Sequence, residues 1–183
     1  MVEDIDEQKA LLFKASQIYE DILENPGKAV EVYRRILDLD EDDLRAIMQI
    51  ESLYLQMERW EDLQEIYNKK VELVDSPEEK REVLYVLGAM YEREVGDTTK
   101  AINTYQRVLE FDPDDVQSIQ RLDVLYSENE EWHDLLSILE REVDLADDPD
   151  EAVSFKYRIG ELYVQHLDDL DRAIDYFNDI RKY

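Results

Sequence analysis

Apolar residues in this chain recur at spacings of three and four. Leu12, Ala15, Ile18, Tyr19 and Ile22 form one stripe, and Ala29, Val32, Tyr33, Ile36 and Leu37 form the next. That period gives each of two successive α-helices one apolar face. Helix starts are equally legible. Asn25, Asp97 and Asp169 stand before second helices, and each can accept a hydrogen bond from a backbone N–H that the first turn leaves unpaired. Pro26 suits a first helical position. Ser76-Pro-Glu-Glu79 and Asp148-Pro-Asp-Glu151 read as a cap, a proline and a Glu three residues on, and Asp40 and Asp112-Pro113 read as caps without that Glu.

The whole pattern then returns after 72 residues without a gap. Tyr19, Tyr91 and Tyr163 share one column, Ala29, Ala101 and Ala173 another, and Tyr33, Tyr105 and Phe177 a third. Between these copies lies a second pattern: Ile47, Ile50, Leu53, Tyr54, Trp60, Leu63, Ile66 and Val71 match Ile119, Leu122, Leu125, Tyr126, Trp132, Leu135, Ile138 and Val143. Each half is one two-helix unit, which predicts five antiparallel helix pairs at about 9–42, 43–79, 80–115, 116–151 and 152–183, forming one elongated array over residues 1–183. Burying one Leu, Ile or Val contributes roughly 1.5–3 kcal/mol, and ordering each residue costs about as much again. A single pair therefore cannot stand without its neighbours. Residues 2–8 align with 74–80, a repeat boundary, and 181–183 align with 109–111, inside a second helix. The expectation is a segment of a longer array, or an end without a capping helix.

At Leu84, Leu87, Gly88, Tyr91, Ala101, Tyr105 and Pro113 the spacing resembles the tetratricopeptide repeat, whose signature is Trp-x2-Leu-Gly-x2-Tyr, then Ala-x3-Phe, then Pro. Leu84 replaces the Trp and Tyr105 the Phe. One extra residue between Tyr91 and Ala101 predicts a longer first connection in the odd units. Even units carry Glu51 and Asp123 where Gly is usual, and Leu63 and Leu135 where a small residue is usual. The alternation, with Trp-x-Asp-Leu in every second unit, resembles large bacterial tetratricopeptide arrays. The resemblance implies an all-α, right-handed α-solenoid and a concave groove lined by the first helices.

Charge narrows the function. Forty-eight acidic against 21 basic residues give a net charge of −27, which repels phosphate backbones and anionic membranes, so nucleic acid is not an expected partner. The chain has no Cys, so disulfides, thiolate metal sites and cysteine nucleophiles are excluded. No stretch approaches the roughly 18 apolar residues of a membrane span, and the start of the chain has no basic or apolar run. The expected location is cytoplasmic.

Chemical motifs are weak. After Asp38-x-Asp40-x-Asp42, a calcium-binding EF-hand loop needs Gly, where Asp43 stands, and a Glu at the twelfth position, where Gln49 stands. These acids sit at helix starts, where they cap and complement the dipole. His133 and His166 lie in different units without a ligand-spaced neighbour. No phosphate loop, Ser/His/Asp order or zincin motif is present. The reading is therefore no enzyme, no cofactor, no metal and no catalytic residue. Trp60 and Trp132 share a column and read as structural anchors for the second helices, with surface hot spots as the alternative.

What remains is binding of a protein or peptide. Counted from each column tyrosine, the groove predicted by the resemblance comprises Phe13, Lys14, Gln17, Arg45, Met48, Gln49, Tyr85, Arg93, Gln120, Arg121, Tyr157 and Arg158. These positions are short of acid for so acidic a chain, although Glu20, Glu82, Glu92 and Glu161 also fall there. The Lys, Asn and Arg clamp by which some family members hold a carboxylate tail is absent: Phe13, Gln17, Glu82 and Val86 occupy its positions. The expected function is a non-catalytic interaction scaffold; the alternative is a self-assembly or spacer element whose ends stack on each other.

Overall fold

The computed structural model describes residues 4–181, so the alignments drawn at residues 2 and 3, 182 and 183 lie outside the described residues. Ten α-helices and no strand lie among them: α1 Ile5–Asp21, α2 Pro26–Leu39, α3 Leu44–Gln56, α4 Trp60–Leu73, α5 Pro77–Met90, α6 Thr98–Leu109, α7 Val116–Glu128, α8 Trp132–Leu145, α9 Pro149–Gln165 and α10 Leu170–Ile180. They fall into two compact units, one ending at Val95 and the other starting at Gly96. In the first unit, α1 packs on α2, α2 on α3, α3 on α4 and α4 on α5. In the second, α6 packs on α7, α7 on α8, α8 on α9 and α9 on α10. Short connections between contacting helices make these neighbours antiparallel.

One turn is used five times. The residue before each second helix's cap has a left-handed backbone: Glu24 (φ 47°), Glu58 (55°), Gly96 (70°), Glu130 (59°) and Asp168 (53°). A left-handed residue there ends the first helix and frees the next one to start at a new angle. The extra residue lengthens the connection after α1 (22–25) and after α9 (166–169) relative to the even units (57–59 and 129–131), as predicted, whereas after α5 it is taken up in a helical segment. Leu23 donates to the carbonyl of Ile18 (3.0 Å) and Leu167 to that of Leu162 (3.2 Å), five residues back in each case. Tyr91–Val95 forms a π-helical segment in the same column. There the one-residue insertion becomes a widened final turn.

Asn25, Asp97 and Asp169 cap α2, α6 and α10 through the N–H groups of Lys28, Lys100 and Arg172, as predicted. Ser76 and Asp148 cap α5 and α9. Asp40 and Asp112 do not cap. The caps of α3 and α7 are Asp43 and Asp115, three residues on, which bond the N–H of Ala46 and Ser118. Each of the earlier acids instead closes the turn, its carbonyl accepting from Asp43 (3.2 Å) or Asp115 (3.2 Å). Lys9 then ties α1 to that turn, meeting Asp40 at 2.6 Å and Asp43 at 2.5 Å.

Tyr33, Ile36, Tyr54, Ile47, Ile50 and Leu63 are fully buried in the first unit, and Ile119, Leu122 and Leu139 in the second. The first stripe is less buried than its spacing predicts. Ile18 is 48% and Ile22 71% exposed, and Tyr19 is half-buried, because no described helix precedes α1.

Candidate binding surface on the first helices

In the first unit Phe13 does not project as an anchor. It is 8% exposed, set edge-on against Tyr33 with ring centroids 5.8 Å apart. The Arg45 guanidinium lies over its outer face at 4.3 Å, a cation–π contact that leaves Arg45 itself exposed. Lys14 and Gln17 are exposed one and four residues further along α1. On α3, Met48 is 56% exposed and Gln49 half-buried. Phe13 and Arg45 thus meet, and α5 contributes the half-buried Tyr85. Arg93 is exposed within the π-helical segment.

In the second unit α7 presents Gln120, exposed, and Arg121, half-buried, while Tyr157 of α9 is 51% exposed and tilted on Phe177 at 5.7 Å. Arg158 is engaged internally. Its two terminal nitrogens donate to the carboxylate oxygens of Asp123 at 2.7 and 2.6 Å, bridging α9 to α7. Glu142 of α8 stands 4.0 Å from the same guanidinium.

This Asp123–Glu142–Arg158 cluster is the feature that motif reading missed. Glu142 is only 7% exposed and its Oε2 has no hydrogen-bond partner. Burial, with Asp123 adding to it and Arg158 opposing, pushes its carboxyl up to about 7. The signal was in the columns. Asp123 aligns with Glu51 and Glu142 with Lys70, and in the first unit those two form an ion pair of 2.7 Å. In the second unit the cation comes from α9 instead. Both acids stand where the repeat signature has Gly, and both use the place to reach a neighbouring helix.

Trp60 and Trp132 begin α4 and α8 and are half-buried. The Trp132 ring stacks on His166 at the end of α9, with centroids 3.8 Å apart. This contact joins α8 to the end of α9 and places that His against an aromatic face. Among the described residues no group of three His, Asp or Glu side chains could hold a metal, and no helix is long and apolar enough to cross a membrane.

Comparison with known proteins follows the same lines. No curated protein sequence matches. Among solved structures, MamA AMB-1 is 16% identical, covers 97% of this chain and 92% of its own, and superposes with a TM-score of 0.51. MamA 41-end from Desulfovibrio magneticus RS-1 gives 17% identity, coverage of 98% and 96%, and a TM-score of 0.47. YrrB, described as a tetratricopeptide protein with an unusual peptide-binding site, gives 15%, 92% and 82%, and 0.48. Likeness at these identities concerns the fold. Family profiles described as tetratricopeptide repeat match residues 9–43, 83–117 and 156–183, in register with the first, third and fifth predicted units. With its ten helices and recurring turns, the chain belongs to the tetratricopeptide repeat family.

Proposed function

We propose that the chain is a non-catalytic scaffold of the cytoplasm that holds a segment of a partner protein, carrying acidic and apolar residues, against its first helices. The observation that supports this reading is the pairing of exposed apolar surface with cations on those helices. Met48 is 56% exposed on the helix that carries Arg45, and Tyr157 is 51% exposed on α9, which Arg158 ties to the Arg121-bearing α7. Aromatic, Met and Arg side chains are the enriched anchors of protein interfaces. In a chain of net charge −27, local cations also select for acidic partners. The surface is tested with a partner recovered on the full-length parent protein. Met48→Ala and Tyr157→Ala should shorten the lifetime of the complex; unchanged dissociation in both would remove the first-helix face from the account.

A second reading, self-assembly or spacing, is favoured by the end columns. Leu11 and Ile18 are 66% and 48% exposed, whereas Val83 and Met90 in the same columns are 7% and 6%. Ile174 is 55% exposed, against 3% for Val30 and 6% for Ile102. These are faces that an adjoining repeat would cover. Sedimentation equilibrium decides: a mass that rises with concentration and collapses in Ile174→Glu supports stacking, and a monomer at high concentration removes it.

A further inference from the structure

Two carboxylates share one cation in the second unit. The 72-residue offset sets Asp123, Glu142 and Arg158 in the columns of Glu51, Lys70 and Val86. In the first unit these columns hold one acid and one cation, with Lys70 donating to Glu51 at 2.7 Å. The second unit replaces that lysine by an acid and brings its cation from α9 instead. Arg158 Nη1 lies 2.7 Å from an oxygen of Asp123 but 4.0 Å from Glu142 Oε2. At 4.0 Å there is no hydrogen bond, and among the described residues the buried Oε2 has no other partner.

An ionised carboxylate oxygen left there without a donor is costly, so Glu142 either keeps a proton or recruits a donor. α8 packs on α7 and α9, and the charged groups that act on Glu142 from those helices are Asp123 and Arg158. Burial first, and then Asp123, disfavour the charged form, while Arg158 opposes them. Nη1 carries two hydrogens and gives one to Asp123. The other can meet Glu142 after a closure of about 1 Å. We propose that Glu142 is a proton-operated latch on α9: protonated, it leaves Arg158 tied to Asp123 alone, and ionised, it draws the guanidinium into a bridge between α7 and α8. Tyr157, one residue before Arg158 and 51% exposed, moves with that bridge. Its presentation to a partner then changes across neutral pH; this consequence rests on the function proposed above, and the latch itself does not.

The test is NMR on the whole chain, with carbon-labelled carboxyls and nitrogen-labelled arginines, titrated from about pH 5.5 to about pH 8.5. The Glu142 carboxyl, the Arg158 guanidinium and the Tyr157 ring should shift together, with one midpoint at about 7. Tyr85 shares the column of Tyr157, but its unit has Lys70 in place of Glu142 and no histidine, so it should stay flat. Glu142→Gln keeps His133 and His166 and should abolish the Arg158 and Tyr157 transitions. A transition that survives in that variant belongs to a histidine and would overturn the proposal. Arg158→Gln should silence Tyr157 while the Glu142 carboxyl still titrates, at a higher pH for want of its cation. Two results in the parent chain are decisive however well either variant folds: a Glu142 carboxyl that titrates at about 4.3, as an ordinary Glu does, or one that titrates near 7 while the Arg158 signals stay still, would each overturn the latch. A complex whose lifetime ignores pH while all three signals move would overturn only the consequence for binding at Tyr157.

Discussion

At Glu142 a single side chain sets a pH dependence. Its folded carboxyl titrates near 7 because burial, and then Asp123, disfavour the charge, whereas an unfolded Glu titrates near about 4.3. Between those values the folded chain holds a proton that the unfolded chain has released. Stability from this residue is therefore full below about pH 4.3, falls as pH rises through the window, and is flat above pH 7. The difference is at most roughly 4 kcal/mol. Glu142→Gln, neutral throughout, should be more stable than the parent at pH 8 and lose that advantage at pH 4.5 in urea denaturation; an equal difference at both pH values would contradict the assignment. A second residue-scale prediction concerns Gly160, where an added Cβ would stand 2.5 Å from the Phe177 ring. Gly160→Ala should cost about 1–3 kcal/mol by overpacking, recovered in part by Phe177→Leu. A neutral Gly160→Ala in the same denaturation series would mean that the α9–α10 contact has room to spare.

At the scale of the helices, most of the structure was legible and the exceptions have physical causes. Apolar spacing gave the ten helices, and the acids and amides of the Asn25 column gave the starts of α2, α6 and α10. Asp40 was misread because the run Asp40-Glu41-Asp42-Asp43 offers several equivalent caps, and only the turn geometry selects the last. The candidate surface was less legible. Spacing assigns a face of a helix but not a partner, so it could not show that Phe13 turns inward to Tyr33 or that Arg158 is held by Asp123. The column of second-helix caps also makes a prediction. Arg59 and Glu131 occupy it in the even units without a side-chain cap bond, yet Glu131 has φ −86°, ψ 67°, close to the φ −97°, ψ 85° of Asp97. Glu131→Asn should therefore stabilise the chain by about 1 kcal/mol. Thermal unfolding showing no gain would mean that the side chain at this turn cannot reach the first-turn N–H groups of α8.

At the scale of the whole molecule, a net charge of −27 on 183 residues dominates. Self-repulsion opposes the compact state, and the Debye length shortens from about 30 Å at 0.01 M salt to about 8 Å at 0.15 M. The melting temperature should rise over that range; a flat or falling response would mean that local pairs such as Lys9 with Asp40 and Asp43 outweigh the net repulsion. The most direct measurement is the affinity of a partner recovered on the full-length parent for three variants: Tyr157→Ala, Arg121→Glu, and Asn103→Glu on the exposed side of α6. The account predicts that Tyr157→Ala and Arg121→Glu each weaken binding by about 2 kcal/mol or more, roughly thirtyfold, while Asn103→Glu changes little. Loss of binding in Asn103→Glu with the other two unchanged would contradict it and move the interface to the second helices.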